Sequence, residues 1–268
     1  MFSRFFRFPA MLVLGLGLYW WPWAASRLGC AGAALYSTPF WLAVTLAATE
    51  SAYLKRYRFI SHTLVRTGRL GRLFRPGLLL LLRQGVSGLF LTMLLLVGAL
   101  AFAPGHRPLL LLDVLLLPLL LFAMERLLRG EIRPDILAPV VRQWAHWVNA
   151  LLLWLALLGV IFFSAQMDYS GQPWQAVVRQ GALEVAVGCD SLALLARLQS
   201  VSGALALWAA QNLFSGLQRP EQLLMAWTLF TAIFGVSFLV AWVYSRALVG
   251  AWARPWRVGH SRMDGSSG

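Results

Sequence analysis

The segment RPLLLLDVLLLPLLLFAMER, residues 107–126, decides the fold class of this protein. Two apolar runs, Leu109–Leu112 and Val114–Met124, flank a single charged residue, Asp113. An α-helix needs about 20 predominantly apolar residues to cross the hydrocarbon core of a bilayer. The segment therefore predicts a transmembrane helix, because apolar runs this dense do not suit a surface in water.

The composition of the whole chain agrees with this segment. Of the 268 residues, 59% are hydrophobic and 12% are charged, and the mean hydropathy is +0.69. Soluble domains are about half apolar and about a quarter charged. These values exclude a soluble globular enzyme, a disordered chain and a disulfide-rich secreted module, and they predict an all-α polytopic membrane protein.

Six stretches of the sequence are apolar enough to be interpreted as membrane spans. They are Phe8–Ala25, Pro39–Leu54, Pro76–Ala103, Pro108–Arg126, Trp147–Gln166 and Leu223–Ser245. Arg-Pro dipeptides mark the starts of the third, fourth and sixth spans, which suits the first helical position, where the missing N–H of proline needs no partner. We expect residues 1–264 to form a single transmembrane helical domain and residues 265–268 to form a flexible tail.

The distribution of basic residues predicts the orientation of these spans. With the N-terminus in the cytoplasm, 17 of the 23 Lys and Arg residues fall on the inner side and five fall outside. Cytoplasmic loops carry such an excess. The sequence thus predicts six spans with both termini inside, in a multi-pass protein of the bacterial inner (cytoplasmic) membrane. The same rule accounts for the net charge of +13, so no nucleic-acid partner is expected.

The basic segment Lys55–Arg75 predicts an amphipathic helix on the inner surface, because its apolar residues lie near helical spacing. Cations in this position bind the anionic headgroups of the bilayer. The alternative is a docking helix for a cytoplasmic protein partner. The residues assigned to one of these two roles are Lys55, Arg56, Arg58, Arg66, Arg69 and Arg72.

The segment Met167–Arg219 is long and charge-balanced, yet largely apolar. Within it, Ala182–Leu198 carries charges and is not expected to cross the bilayer. Val201–Phe214 is uncharged but only 14 residues long, in the range of a re-entrant or interfacial helix. We interpret Gln175–Phe214 as a helical hairpin at the outer face, between spans five and six.

Three ionisable residues fall inside the predicted spans, namely Glu50, Arg83 and Asp113. Charges inside a membrane are costly and are by default candidates for function, each with a partner. Glu50 and Arg83 lie at similar depths near the inner ends of adjacent spans, so we expect either an ion pair between them or two side chains that extend to the interface.

Asp113 is too short to extend far toward water, and its sequence neighbours offer it no partner. Another helix or the outer hairpin must supply one, unless burial keeps the acid protonated. The two interpretations of Asp113 are a proton or cation site and a structural hydrogen bond between helices.

The two cysteines, Cys30 and Cys189, both fall on the predicted outer side. A disulfide between them is one alternative in an oxidising periplasm, and two free buried thiols are the other. No sequence motif predicts a catalytic residue, a metal site or a cofactor, and the four histidines are not arranged as metal ligands.

Three functions are compatible with this sequence. The predicted layout suits the membrane-embedded subunit of a transport or export assembly that acts with partner proteins. The first alternative is a non-catalytic scaffold or accessory subunit of a multi-protein envelope complex. The second alternative is a lipid-modifying membrane enzyme that uses Asp113, Glu184 or Asp190.

Overall fold

The computed structural model describes residues 7–63, 78–100, 107–132, 134–163, 168–183, 187–213 and 220–252. This part of the chain forms eight α-helices and no β-strand. The helices are α1 (Arg7–Arg27), α2 (Cys30–Thr63), α3 (Leu78–Leu100), α4 (Arg107–Leu128), α5 (Pro134–Phe163), α6 (Trp174–Leu183), α7 (Asp190–Leu213) and α8 (Pro220–Trp252).

Six of these helices are long and apolar enough to cross a membrane, as expected of an integral membrane protein. The qualifying segments are Cys30–Ala52, Leu81–Leu100, Arg107–Leu128, Ile136–Val160, Asp190–Ala209 and Phe234–Trp252. The number equals the prediction, but the membership differs, because α7 is included and α1 is not. Helix length and composition are the same for either orientation, so the inside–outside orientation of the helices stays a prediction.

Helix α7 corrects the sequence interpretation of its segment. It is one continuous helix of 24 residues, about 36 Å long, rather than a charged arm followed by a short apolar one. Only two charges, Asp190 and Arg197, fall within its qualifying stretch, and both are exposed. These two charged residues do not interrupt the helix, because they lie on the face that does not pack against the bundle.

Helix α1 lies inside the bundle, where it packs against α4 and α8. Its buried residues include Met11, Leu14, Leu18, Trp21 and Ala25, which follow one another at spacings of three and four, the pattern of a helix with one packed stripe. The indole N–H of Trp21 donates to the carbonyl oxygen of Leu96 in α3 at 2.9 Å. Helix α1 is thus a central helix of the fold.

Two helices begin earlier than the apolar stretches predict. Helix α2 begins at Cys30 rather than Pro39, and it continues to Thr63 through the start of the predicted surface helix. Helix α5 begins at Pro134 rather than Trp147. The sequence interpretation places these starts too late because it treats the polar residues near them as loop, whereas Ser37 of α2 and His146 of α5 are buried.

Three glycines allow the helices to approach closely. Gly15 packs against Val114, and Gly98 packs against Val240. At Gly250, a Cβ atom would overlap the main chain of Ala43. Small residues at crossings are the usual means of close packing between membrane helices, where lipid provides no hydrophobic drive.

Helices α6 and α7 pack side by side in opposite directions. Late in α6, Gly181 lies against Ala204, in the middle of α7. Before α6 begins, the carbonyl oxygen of Gln172 accepts a hydrogen bond of 2.7 Å from the indole N–H of Trp208. The turn ahead of α6 is also held by α7, since the Tyr169 N–H donates to Gln211 at 2.7 Å. The side of the membrane on which this hairpin lies stays a prediction.

Two positions along α2 identify the ends of the bundle. Cys30, at its start, defines what we call the disulfide end, where it is bonded to Cys189. Glu50 defines the ion-pair end, where it contacts Arg142. Twenty residues of helix separate Cys30 from Glu50, which corresponds to about 30 Å, the thickness of a bilayer core.

Candidate functional site

Five buried side chains with polar atoms meet where α4, α5 and α8 cross, and we call them the polar cluster. They are Asp113 of α4, His146 and Asn149 of α5, and Tyr244 and Ser245 of α8. None is more than 5% exposed. Buried polar residues in a membrane protein are candidates for function, because each must be satisfied inside the protein.

The amide of Asn149 connects the three helices. Its Nδ2 donates to Oδ2 of Asp113 at 3.0 Å and to Oγ of Ser245 at 3.2 Å. An amide nitrogen has two hydrogens, so both are used. The partner of Asp113 is therefore an amide on a neighbouring span, rather than the outer hairpin.

The hydrogen bonds of Ser245 determine the tautomer of His146. The Ser245 hydroxyl donates to the carbonyl oxygen of His146 at 3.1 Å, and Nδ1 of the same histidine lies 3.3 Å from the hydroxyl oxygen. A hydroxyl has one hydrogen and two lone pairs. Because the hydrogen is already donated, Nδ1 must be the donor in its contact, and Nε2 of His146 is left as an acceptor.

Nε2 of His146 is buried and has no hydrogen-bond partner among the residues that the structure describes. The imidazole lines a cavity of about 20 Å³ at the ion-pair end, together with Glu50, Arg142, Gln143 and Arg246. That volume has room for one water molecule. The cavity is thus polar on several sides and contains an unused acceptor.

Tyr244 links α8 to α4 directly. Its hydroxyl donates to the carbonyl oxygen of Leu110 at 2.6 Å, one turn before Asp113. The tyrosine is 1% exposed, so this bond is formed in the interior of the bundle. The hydroxyl has no second hydrogen to offer Asp113.

A groove of about 360 Å³ runs between α4 and α5 on the other side of the polar cluster. Leucine and alanine side chains form its walls, and Asp113 and Asn149 are its polar residues. Three of the wall residues, Leu112, Leu116 and Leu152, are about half exposed and point away from the bundle. In a membrane this groove faces the lipid, and its floor is a carboxylate and an amide.

Glu50 is paired with Arg142, so the Glu50–Arg83 ion pair, one of the two alternatives for these residues, is not formed. Nε of Arg142 lies 3.0 Å from both carboxylate oxygens, and its Nη2 also contacts Oε1. Each side chain of the pair is 13% exposed, whereas the side chain of Arg83 is exposed. The pair with Arg142 was not anticipated because the predicted fifth span begins at Trp147, whereas α5 begins at Pro134 and carries Arg142 beside α2.

Cys30 and Cys189 are joined by a disulfide, so of the two alternatives the structure has the bridge. The hydroxyl of Ser191 lies 3.3 Å from the sulfur of Cys189. Next to it, the Gly188 N–H donates to the carbonyl oxygen of Ala25 at 2.9 Å. The start of α7 is therefore attached both to the end of α1 and to the start of α2.

The basic residues proposed for lipid or partner docking divide into two groups. Lys55, Arg56 and Arg58 lie in the last part of α2. Arg66, Arg69 and Arg72 lie outside the described residues, as does Glu184. Their role in docking stays a prediction. Among the described residues, no three His, Cys, Asp or Glu side chains converge as metal ligands.

Sequence reasoning missed five members of this region: Arg142, His146, Asn149, Tyr244 and Ser245. The first three had a usable signal, because they follow one another at spacings of four and three and therefore share one face of α5. The predicted fifth span begins at Trp147, so only Asn149 of the three fell within it and the shared face was not recognised. Ser245, at the end of the predicted sixth span, had no comparable signal.

The fold and the site together define an integral membrane protein with helices of spanning length and a buried polar cluster between three of them. Comparison with protein-family models, with curated proteins and with solved structures finds no match for this chain.

Proposed function

We propose that this chain is the membrane-embedded subunit of a transport or export assembly in the bacterial inner membrane, with both termini in the cytoplasm. In this proposal Asp113 is the acid that binds the transported or coupling cation. One observation carries the proposal: Asp113 is 5% exposed, is bonded to a neutral amide, and has no cationic side chain at ion-pair distance among the described residues.

The position of the polar cluster between two cavities supports transport. Asp113 and Asn149 line the groove between α4 and α5, and His146 lines the small cavity at the ion-pair end. Hydrogen bonds through Asn149 and Ser245 connect the two. A transport site must be reached from two sides in turn, and this arrangement offers two approaches to one group of polar side chains.

Asn149 acts in this proposal as a positioning residue. A carboxamide holds its neighbours through two N–H donors but does not readily pass a proton along, unlike a carboxyl or an imidazole. Its role is to hold the Asp113 carboxylate at the groove floor and the Ser245 hydroxyl against His146. The residue that binds the ion is Asp113.

A scaffold subunit is the second candidate, and the close helix crossings favour it. Gly15, Gly98 and Gly250 lie at tight contacts between helices, and the disulfide attaches α7 to α1 and α2. A rigid bundle of this kind suits a protein that holds others in place. The bond between Asn149 and Asp113 would then be a structural bond between helices.

The test measures ion flux in vesicles. The chain is purified in mild detergent with the proteins that accompany it, reconstituted into vesicles containing a pH-sensitive dye, and exposed to an imposed membrane potential. We expect Asp113→Asn to abolish the proton or cation flux while leaving the accompanying proteins bound. The matched control is Glu131→Gln, the same chemical change at an exposed turn residue, which should leave the flux unchanged.

Equal flux for wild type and Asp113→Asn contradicts the role of Asp113 as the cation-binding acid. Absence of flux in both contradicts the transport proposal and leaves the scaffold as the better account. Mass spectrometry of the vesicle lipids, taken from the same samples, identifies the enzyme alternative. A lipid product that depends on Asp113, in the absence of any flux, would also overturn the proposal.

A further inference from the structure

We infer that the groove between α4 and α5 binds a lipophilic cation, an alkyl chain with a primary ammonium head, and that the head contacts Asp113. This inference rests on the proposed function and names its substrate class. The groove volume of about 360 Å³ lies in the range of sites for small molecules.

The walls of the groove suit an alkyl chain. They are formed by leucine and alanine side chains of α4 and α5, including Leu116, Leu152 and Ala156. These walls give the alkyl chain van der Waals contacts much like those of the surrounding lipid, so selectivity has to come from the head group. A solute that partitions into the bilayer reaches the groove laterally, because its leucines are exposed on the outside of the bundle.

When Asp113 is ionised, the floor of the groove presents acceptors and no free donor. Both hydrogens of the Asn149 amide are donated, to Asp113 and to Ser245. The single hydrogen of Tyr244 is donated to Leu110, and that of Ser245 to His146. What remains is the Asp113 carboxyl group and the amide oxygen of Asn149, which are both hydrogen-bond acceptors when the acid is ionised.

An acceptor-only floor selects the charge of the head group. A fatty acid or a phosphate ester would place its anionic oxygens against the Asp113 carboxylate with no donor between them. An uncharged alkyl chain would leave the carboxylate without a counter-ion. A primary ammonium carries three donors and one positive charge, and hydrogen bonds between two ionised groups are about twice as strong as neutral ones.

The test compares three probes with the same chain: dodecylammonium, dodecanol and dodecanoate. Binding to the purified assembly in lipid nanodiscs is measured by equilibrium dialysis. We expect saturable binding of dodecylammonium about tenfold or more tighter than that of the other two, as one charge-assisted hydrogen bond implies. Asp113→Asn should reduce dodecylammonium binding to the level of dodecanol.

Two further variants separate the groove from general partitioning into lipid. Leu116→Trp fills the groove and should abolish the saturable binding of dodecylammonium. Leu89→Trp makes the same change at a lipid-facing position of α3 that is also about half exposed, and it should have no effect. Equal binding of all three probes, or unchanged binding in Asp113→Asn, would overturn the inference.

Binding and flux together show which proposal fails. Selective binding of dodecylammonium that depends on Asp113, with no flux in vesicles, sustains the binding site and contradicts transport. Flux that depends on Asp113, with no binding of dodecylammonium, sustains transport and contradicts the lipophilic cation as its substrate. Retained copurification and an unchanged melting temperature show that each variant is folded.

Discussion

Two acids that lie between helices, the partly buried Glu50 and the buried Asp113, have opposite surroundings. Glu50 receives a two-pronged contact from the guanidinium of Arg142, so its charge is neutralised by a neighbour on α5. Asp113 receives one bond from the neutral amide of Asn149, also on α5. The same helix thus provides a permanent counter-ion to one acid and only a hydrogen-bond donor to the other.

The difference separates a structural acid from an acid available for a ligand. A buried acid with a fixed arginine partner has no remaining need for a cation. An acid with an amide partner and a cavity beside it still lacks a positive charge, which a proton, a metal cation or an ammonium group can supply. On the proposed function, the Glu50 pair is structural and Asp113 is the acid available for a ligand.

The largest expected effect comes from breaking the ion pair. Arg142→Met leaves the carboxylate of Glu50 buried without a partner, and the free energy of unfolding should fall by about 3 kcal/mol. The double variant Glu50→Gln/Arg142→Met removes both charges and should recover most of that loss. Thermal melting in detergent measures both. The control is Arg83→Met, an exposed arginine of α3, which should melt as wild type does.

Equal melting temperatures for the single variant Arg142→Met and the wild type would show that the pair contributes no stability. The contrast between Glu50 and Asp113 would then have no energetic basis. A double variant less stable than Arg142→Met alone would also remove this basis. It would show that the stability lost in Arg142→Met comes from packing rather than from an unpaired charge.

A smaller loss is expected at the residue that holds the polar cluster together. Asn149→Ala removes the donor to Asp113 and to Ser245, and it should lower the free energy of unfolding by about 1–2 kcal/mol. The expected size is less than for Arg142→Met, because two neutral donor hydrogens are lost rather than a counter-ion. The same melting experiment measures it, and a loss above that of Arg142→Met would reverse the ranking.

Asp113→Asn should change stability least among the buried variants, by less than about 0.5 kcal/mol. The new amide oxygen accepts the same hydrogen bond from Asn149, and one desolvated carboxyl group is removed. A loss of several kcal/mol in thermal melting would instead make Asp113 a structural residue like Glu50. This variant is therefore the informative one for function, since it alters chemistry with little effect on folding.

Asp168 is an exposed acid and serves as a reference for the two acids between helices. Changing its hydrogen-bond partner should have the smallest effect on stability of the variants considered. It lies between α5 and α6, where bonds from the hydroxyl and the N–H of Ser170 lower its pKa. A lowered pKa stabilises the folded state at pH values above the ordinary pKa of aspartate, and this contribution is lost as the pH falls through the folded value. Ser170→Ala should therefore raise the pKa of Asp168 and destabilise slightly at neutral pH.

Carboxyl-carbon NMR of the labelled aspartates measures this shift directly. The stability difference between wild type and Ser170→Ala should shrink as the pH falls through the folded pKa of Asp168 and vanish once the carboxyl group is protonated in both proteins. An unchanged titration of Asp168 in the variant would show that the serine is not the cause. The exposure of Asp168 keeps the effect small, because water screens it.

The sequence was sufficient to predict the class of fold and to select Asp113. Both follow from composition, since long apolar runs define spans and a lone charge inside a run is visible without coordinates. The partners of the charged residues were not predictable in the same way. Whether Glu50 meets Arg83 or Arg142 depends on how far each helix extends and how it is rotated, and hydropathy measures neither.

The same limitation explains the differences in the helices themselves. The sequence interpretation started α5 at Trp147, because Arg142, Gln143 and His146 are polar, although Glu50 of α2 satisfies that arginine. It divided α7 at its charged residues, although they lie on an exposed face. In the first case a neighbouring helix accommodates the charge, and in the second an exposed surface does. The mean hydropathy of one segment contains no information about its neighbours or about which face is exposed.

The contrast between the two acids is tested most directly by dicyclohexylcarbodiimide, a lipid-soluble reagent for carboxyl groups. Native membranes are treated with it, and the modified residues are located by mass spectrometry. We expect modification at Asp113, reached from the groove, with protection by dodecylammonium and no modification at Glu50, whose oxygens are held by Arg142. Modification of Glu50 in preference to Asp113, or labelling of Asp113 that dodecylammonium does not reduce, would contradict the account.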